Sequence, residues 1–341
     1  MPTPAVSVIM CVYNGAATLG RAIESVQAQT MRDWELVIID DCSTDATRTL
    51  AEAAAQTDKR IKVISLPKNS GQSVARNAGI AHARGAWLAV VDADDWIYPT
   101  RLQAMLSTAE ATNSEIIFDN QHIYDAPLGV ISRVAIPNSQ FRQGRAVAPS
   151  PHVSRPVTLQ DFMLNSQMHQ RFVWGLLKPL IKASVLNKAG MGYNTSFRMS
   201  EDFLLIIELM MHGAQCTLIQ DPLYLYTASR GDLSATSSGF STSKYQVADT
   251  LVVVAHILKT YGAQMSPAER NALHNYTCAA LRGDAALRFK AAIKQRQWSV
   301  AGHQLLAHPS LPLLLGRSMF RAILYRVIYR RFFLWAFTKH A

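Results

Sequence analysis

Short buried strands and helices alternate regularly over the first 120 residues, and that beat leaves few architectures open. "VSVIMCV" (6–12) and "WELVIID" (34–40) are continuous apolar runs of strand length. "TLGRAIESVQAQ" (18–29) between them has helical spacing. "STDATRTLAEAAAQ" (43–56) opens on cap residues, Ser43 or Thr44, and continues in strong helix formers. "IKVISL" (61–66), "SVARNAGIAHAR" (73–84), "WLAVVD" (87–92), "RLQAMLSTAEAT" (101–112) and "EIIFDN" (115–120) keep the rhythm. Strands apolar on both sides, each followed by a helix, predict an α/β fold with a mostly parallel central sheet covered on both faces.

Beyond residue 120 the pattern loosens. Residues 121–157 are rich in Pro, Gly, Ser and scattered Arg and read as an insertion or flap. "SEDFLLIIELMMHG" (200–213) opens a helix, and "CTLIQDPLYLYTASRGDLSAT" (216–236) reads as two short strands with a polar loop. From Ser241 onward the pattern is helical. The division expected is 1–238 as one α/β domain, with 1–120 its regular half and 121–238 its looser half, followed by a helical region, 239–341.

Ligands of such sheets gather at the carboxyl ends of strands. Polar groups stand there in this chain: Tyr13 and Asn14 after the first strand, Asp40 and Asp41 after the second, Asp92 and Asp94 after the fourth. Asp92-Ala93-Asp94 at a strand end is an arrangement that holds Mg²⁺ or Mn²⁺ through one or two carboxylates while substrate phosphates complete the shell. A solvated turn is the plainer account of the same residues. No GxGxxG follows the first strand and no GxxxxGK[ST] occurs anywhere, so classical dinucleotide and P-loop sites lose their main support.

"VSVIMCVYN", "LVIIDDCSTD", "NSGQSVARNAGIAHARGAWLAVVDADD" and "MSEDFLLIIELMMHG", in this order and spacing, resemble the family 2 glycosyltransferases with the GT-A fold. "FDNQHIYD", "GLLKPLI" and "YLYTASRGDLSAT" bring the likeness closer to the succinoglycan-type, exopolysaccharide-building branch, over residues 5–236. The resemblance implies an inverting enzyme that moves a hexose from a UDP-sugar to a hydroxyl of a lipid-linked oligosaccharide. It implies that Tyr13 lies against the base, that Asp41 accepts from the base with Asp40 beside it, and that Arg76 sits near base or diphosphate. Asp92 would contact the ribose or a metal-bound water, Asp94 would hold Mn²⁺ or Mg²⁺, and Asp202 would be the general base, with Glu201 the fallback. Arg230 and Ser234 would touch the donor phosphates, and Trp174 and Lys178 would lie toward the acceptor. Asp95 is not assigned to the donor site and reads as a cap on the turn into "IYPTRL". Members often carry Gly before the Glu-Asp pair, where this chain has Ser200, which could alternatively serve simply as a helix cap.

Charge is distributed unevenly. Ten Lys/Arg and no Asp or Glu fall after Asp284, and the other 24 of the 34 basic residues offset the 24 acidic ones, so the net +10 belongs to the C-terminal segment. "GRSMFRAILYRVIYRRFFLWAFTKHA" (316–341) mixes these cations with aromatics, as segments docking on anionic lipid do. Packing of that segment on its own domain is the alternative. Cys11, Cys42, Cys216 and Cys278 show no paired spacing and read as reduced thiols, the N-terminus lacks a signal-peptide pattern, and no apolar run is long enough to span a bilayer. The expected place is the cytoplasm, at the inner face of a bacterial membrane. A nucleotidyltransferase is the alternative enzyme class. A nucleic-acid binder fits poorly with the neutral first 284 residues, and no nucleic-acid partner is expected.

Overall fold

The computed structural model describes residues 3–126, 128–141, 145–146, 152–167, 172–197, 200–228 and 247–307. Eleven strands form one sheet: β1 (Val6–Val12), β2 (Trp34–Asp40), β3 (Ile61–Ser65), β4 (Trp87–Val90), β5 (Trp96–Ile97), β6 (Ile116–Asp125), β7 (Val130–Val134), β8 (Arg145–Ala146), β9 (Val153–Val157), β10 (Leu180–Lys182) and β11 (Cys216–Ala228). Their order is β3-β2-β1-β4-β10-β6-β11-β9-β8, with β5 on β11 and β7 on β6. The helices are α1 (Leu19–Gln27), α2 (Thr47–Thr57), α3 (Gln72–His82), α4 (Arg101–Thr112), α5 (Leu159–Asn165), α6 (Ala183–Ala189), α7 (Glu201–Met211), α8 (Val247–Tyr261), α9 (Pro267–Lys294) and α10 (Trp298–Ala307).

The parallel core expected from the alternation is present: β3, β2, β1 and β4 run parallel, as do β6 and β11. β1, β2 and β4 are buried on both faces, which is why they are mostly apolar, whereas the edge strand β3 exposes Lys62 and Ser65. Leu36 and Ile38 of β2 join the core that holds Leu19, Ile23 and Val26 of α1, while Val37 and Ile39 face Ala75 of α3. α3 lies close on β1 because Gly79 has no side chain; a Cβ there would meet Ile9 Cγ2 at 2.4 Å.

Three differences from the sequence reading concern positions near the strand ends. β10 is wedged antiparallel between β4 and β6, pairing Leu180 with both Ala89 and Ile117. The segment 216–228 is a single strand rather than two, with its register shifting around Pro222, where a missing N–H is tolerated. Part of the supposed flap belongs to the sheet, since β6 runs to Asp125 and pairs with β7, and β9 pairs with β11.

α8 and the first half of α9 share the main core, while the second half of α9 and α10 pack in a small cluster of their own around Phe289. Val253, Ile257, Leu273 and Tyr276 pack in the same cluster as the strands. A ladder of rings, Phe118–Phe162–Phe203–Tyr276, with centroids 5.7, 5.7 and 4.4 Å apart, ties β6, α5, α7 and α9 together. α9 begins at Pro267 behind a capping box of Ser266 and Glu269. Among the described residues no helix is long and apolar enough to cross a membrane. The basic aromatic segment 316–341 lies outside the described residues.

Candidate active site

The ends of β1 and β2 are stitched together. Asn14, at φ 50°, accepts the Thr44 N–H at 2.8 Å and donates its own N–H to the Ser43 hydroxyl at 2.9 Å. Gly15 N–H donates to Thr47 Oγ1 at 2.9 Å, and Ala16 N–H donates to Asp45. Neither Ser43 nor Thr44 caps α2. The helix starts at Thr47, whose N–H donates to Asp45 at 3.0 Å. This stitching leaves Tyr13 51% exposed just past the end of β1. Asp40 and Asp41 are buried: Asp40 accepts the Ser43 N–H, and the two carboxylate oxygens of Asp41 accept the N–H groups of Ser70 and Gly71 at 2.7 and 2.8 Å. Asp41 therefore holds the loop that leads into α3.

Beyond β4, the turn 92–95 separates its three carboxylates by role, although all three come within 4.8 Å of one another. Asp95 is buried and accepts the Tyr224 hydroxyl and the Thr227 N–H, both at 2.7 Å. It anchors β11 to the turn and does not cap the stretch that follows. Burial, and then the neighbouring Asp94 and Asp92 charges, raise its pKa well above the usual carboxylate range. Tyr224 OH in turn accepts the Asp92 N–H, and Arg21 and Thr227 both donate to the Asp94 carbonyl. The turn is thus fixed from three sides.

Asp92 faces the other way, into a closed ring of charges. Arg76 reaches Asp92 Oδ1 at 3.2 Å and Asp202 Oδ1 at 2.5 Å; Lys178 Nζ reaches Asp92 Oδ2 at 2.9 Å and Asp202 Oδ2 at 3.1 Å. Glu201 stands 3.5 Å from Arg76. Burial alone would raise the Asp92 pKa, but Lys178 and Arg76 hold it at about 2. Burial and the Asp202 charge push Glu201 up. Ser200, before the pair, has φ 62° and ψ 21° and makes no side-chain cap. The chain thus adopts there the left-handed backbone for which glycine is suited, and it does so with serine. A simple capping role for Ser200 is set aside.

Asp94 remains. Burial first and Asp92 second raise its pKa to about 6, and among the described residues its carboxylate accepts no hydrogen bond from another residue and forms no ion pair. A desolvated carboxylate with open oxygens, beside a second carboxylate already neutralised, fits a divalent cation held by one protein ligand and completed by substrate oxygens.

The site thus gathers Tyr13, Asp40, Asp41, Arg76, Asp92, Asp94, Lys178, Glu201 and Asp202 from the ends of β1, β2 and β4, from α3, from the segment before β10 and from the start of α7. Trp174 is not open to a sugar. It is 2% exposed, part of the core, with the Arg155 guanidinium 5.2 Å from its ring centre. Arg230 and Ser234 lie outside the described residues. Reading the sequence missed Arg21, Tyr224 and Thr227, which hold the aspartate turn, because Tyr224 and Thr227 become informative only once β11 pairs with β5 next to that turn, and Arg21 only once α1 brings its guanidinium to the Asp94 carbonyl.

With this geometry described, its relatives are informative. Residues 7–162 match the profile of "Glycosyl transferase family 2". The chain carries a family 2 glycosyltransferase domain. Succinoglycan biosynthesis protein ExoO of Rhizobium meliloti (strain 1021) is 34% identical over 231 residues, 68% of this chain and 63% of that protein, so the match spans less than two thirds of the relative. Among solved structures, S. aureus TarS 1–349 in complex with UDP-GlcNAc superposes with a TM-score of 0.64 at 20% identity, covering 92% of this chain and 88% of that one. The mannosyltransferase PcManGT of Pyrobaculum calidifontis, in complex with GDP-Man and Mn²⁺, gives 0.54 at 18%, covering 94% and 86%. These two share the GT-A fold with the glycosyltransferase domain described here.

Proposed function

We propose that this glycosyltransferase transfers a hexose from a UDP-sugar to a hydroxyl of a lipid-linked oligosaccharide, with inversion at the anomeric carbon, in the building of a bacterial exopolysaccharide. The observation that supports the reading is the open Asp94 carboxylate standing beside the Asp92–Arg76–Asp202–Lys178 ring, a candidate cation ligand close to a candidate base. Tyr13 would cover the uracil, with Asp40 and Asp41 close by, and Asp92 would meet the ribose side. Arg230 and Ser234 would contact the diphosphate. Mn²⁺ or Mg²⁺ bound at Asp94 would neutralise diphosphate charge and improve UDP as a leaving group.

Asp202 would take the proton of the acceptor hydroxyl as that oxygen attacks the anomeric carbon from the face opposite the diphosphate. Each of its oxygens keeps a second lone pair beyond its ion pair, so the ring orients the carboxylate without filling it. A relative named for succinoglycan biosynthesis supports a role in building a polysaccharide, and the basic aromatic segment 316–341 supports peripheral attachment to an anionic inner membrane face, where a lipid-linked acceptor would be met.

Transfer from UDP-sugars, measured with Mn²⁺, with Mg²⁺ and with chelator, in the wild type and in Asp94→Ala, tests the proposal. Activity should require the metal and should fall at least about 10²-fold in the variant, as expected for loss of the metal's Lewis-acid role. Full activity in chelator would overturn the metal assignment. Sedimentation with anionic vesicles, before and after removal of 316–341, tests the membrane assignment, and equal soluble behaviour of both chains would refute it.

A further inference from the structure

We infer that Lys178 is a positioning residue for the transfer reaction: its ammonium fixes the Asp202 carboxylate against Asp92, and the buried Arg101–Asp119 pair fixes its backbone. The inference deepens the reading of Asp202 as the base and rests on it.

Three observations carry it. Lys178 is 3% exposed and its ammonium is already engaged at 2.9 and 3.1 Å by carboxylates from opposite parts of the chain. A lysine that recognised an acceptor would offer its charge to the cleft. This one bridges two protein groups, and both carboxylate charges hold its ammonium protonated against the opposing effect of burial. Second, Lys178 and Arg76 bind different oxygens of the same two aspartates, Oδ2 and Oδ1 respectively. One cation alone would leave Asp202 free to swing about its own side-chain bonds; two on opposite oxygens set the plane of the carboxylate, and orientation is what a general base needs.

Third, the main chain at Lys178 is held from below. Its carbonyl accepts a hydrogen bond from Arg101 Nη2, while Arg101 grips Asp119 through two bonds of 2.8 Å, and both side chains are fully buried. Two residues later β10 enters the sheet, hydrogen-bonded on both sides by β4 and β6. Arg101 also lies 5.0 Å from the ring centre of Tyr224, the residue that accepts the Asp92 N–H. The pair therefore braces both the turn that carries Asp92 and the segment that carries Lys178. An isolated Arg after "YPT" and an isolated Asp in "IIFD" look unrelated in sequence.

The test is a kinetic comparison of wild type, Lys178→Met and Lys178→Arg, with UDP–Mn²⁺ affinity measured by calorimetry. For a positioning residue, Lys178→Met should lower kcat about 10²-fold, within the span a placed base supplies, while the acceptor KM and the UDP affinity stay within about threefold, as expected when an interaction made only in the transition state is lost. Lys178→Arg, which keeps the charge, should recover to within about tenfold of wild type, because a guanidinium can still reach both carboxylates. A raised acceptor KM with kcat intact would overturn the proposal in favour of acceptor binding, and an unchanged kcat would overturn it outright. If Lys178→Met does not fold, Lys178→Gln, which keeps a donor at the site, carries the same comparison.

The double variant Lys178→Met/Asp202→Asn separates this proposal from the one beneath it. A residue acting through Asp202 makes the double variant no slower than Asp202→Asn alone; losses that multiply would sink the positioning role. Asp202→Asn transferring at the wild-type rate would instead remove the base assignment. In that event a crystal structure of Lys178→Met with UDP still decides the strut: an Asp202 carboxylate rotated away from Asp92 supports it, and an unmoved one refutes it.

Discussion

Two groups of charged side chains are buried in this molecule within one strand of each other, and they differ in closure. Arg101 and Asp119 form a sealed pair, one cation to one anion, both fully buried and joined by two matched hydrogen bonds. The second group opens on the cleft and is unbalanced: Arg76 and Lys178 face Asp92, Asp202 and Glu201, with Asp94 adding a further carboxylate near the rim. A balanced, dry pair has nothing left to offer a ligand and stabilises geometry. A surplus of carboxylates held in place by two cations is unfavourable until another cation or a proton donor arrives. The difference distinguishes a brace from a reaction centre using burial and charge count alone.

The largest expected effect falls on the open group. Asp202→Asn should lower kcat by about 10²–10⁴-fold, the range for loss of a general base, with UDP affinity within about threefold of wild type and urea stability nearly unchanged. Stability should hold because Arg76 and Lys178 keep Asp92, and Arg76 keeps Glu201. Loss of UDP binding in this variant would place Asp202 on the donor side instead. Breaking the sealed pair should do the reverse. Asp119→Ala leaves a buried guanidinium without its anion and should remove about 3–5 kcal/mol of stability in urea titrations, while kcat per folded molecule falls less than in Lys178→Met. Equal effects of the two substitutions on stability and on kcat would erase the distinction between brace and reaction centre.

A smaller effect concerns the rim. Asp94 in the metal-free fold has its pKa raised to about 6 by burial and by Asp92. A raised carboxyl pKa means that the fold binds this proton more tightly than the unfolded chain does. The group's contribution to stability is therefore fully present below its ordinary value of 3.8 and lost as pH rises through 6. Metal binding has the opposite sign, because the cation needs the carboxylate. Mn²⁺ affinity should fall about tenfold for each pH unit below 6, with about one proton released per ion bound. Calorimetry in buffers of different ionisation enthalpy counts that proton, and an affinity flat from pH 5 to 7 would remove Asp94 from the site.

Much of this arrangement was readable from the residues. The apolar runs gave the parallel strands, because a strand buried on both faces has no alternative composition, and strand ends then located Tyr13, Asp40, Asp41, Asp92 and Asp94. What stayed hidden depends on contacts distant in sequence. "LIK" is too short to announce β10, and only its insertion between β4 and β6 brings Lys178 under the aspartates. Residues 216–236 read as two short strands with a polar loop, yet β11 passes through Pro222 with a register shift and delivers Tyr224 and Thr227 to Asp95. Ser200 is the mixed case: the glycine usual there marked the position as a departure, and only the structure shows that the chain takes a left-handed backbone there with serine.

Tyr13 supplies the mildest test and extends the comparison to a site with no charge. The residue stands 51% exposed while the backbone next to it is pinned by Asn14, Ser43, Thr44 and Thr47, so its position is set by the backbone more than by packing of the ring. Truncation of such a residue should leave stability within about 0.5 kcal/mol of wild type. If the ring covers the uracil, Tyr13→Ala should weaken UDP about fivefold, the low end of what stacking one base on an aromatic provides and fitting for a ring open on one side. Tyr13→Phe should bind as wild type does, since stacking needs the ring and not the hydroxyl. A loss in Tyr13→Phe equal to that in Tyr13→Ala would make the hydroxyl the contact. Unchanged UDP affinity in both would move the base away from the end of β1, and the cleft would then have to be read from the Asp94 side alone.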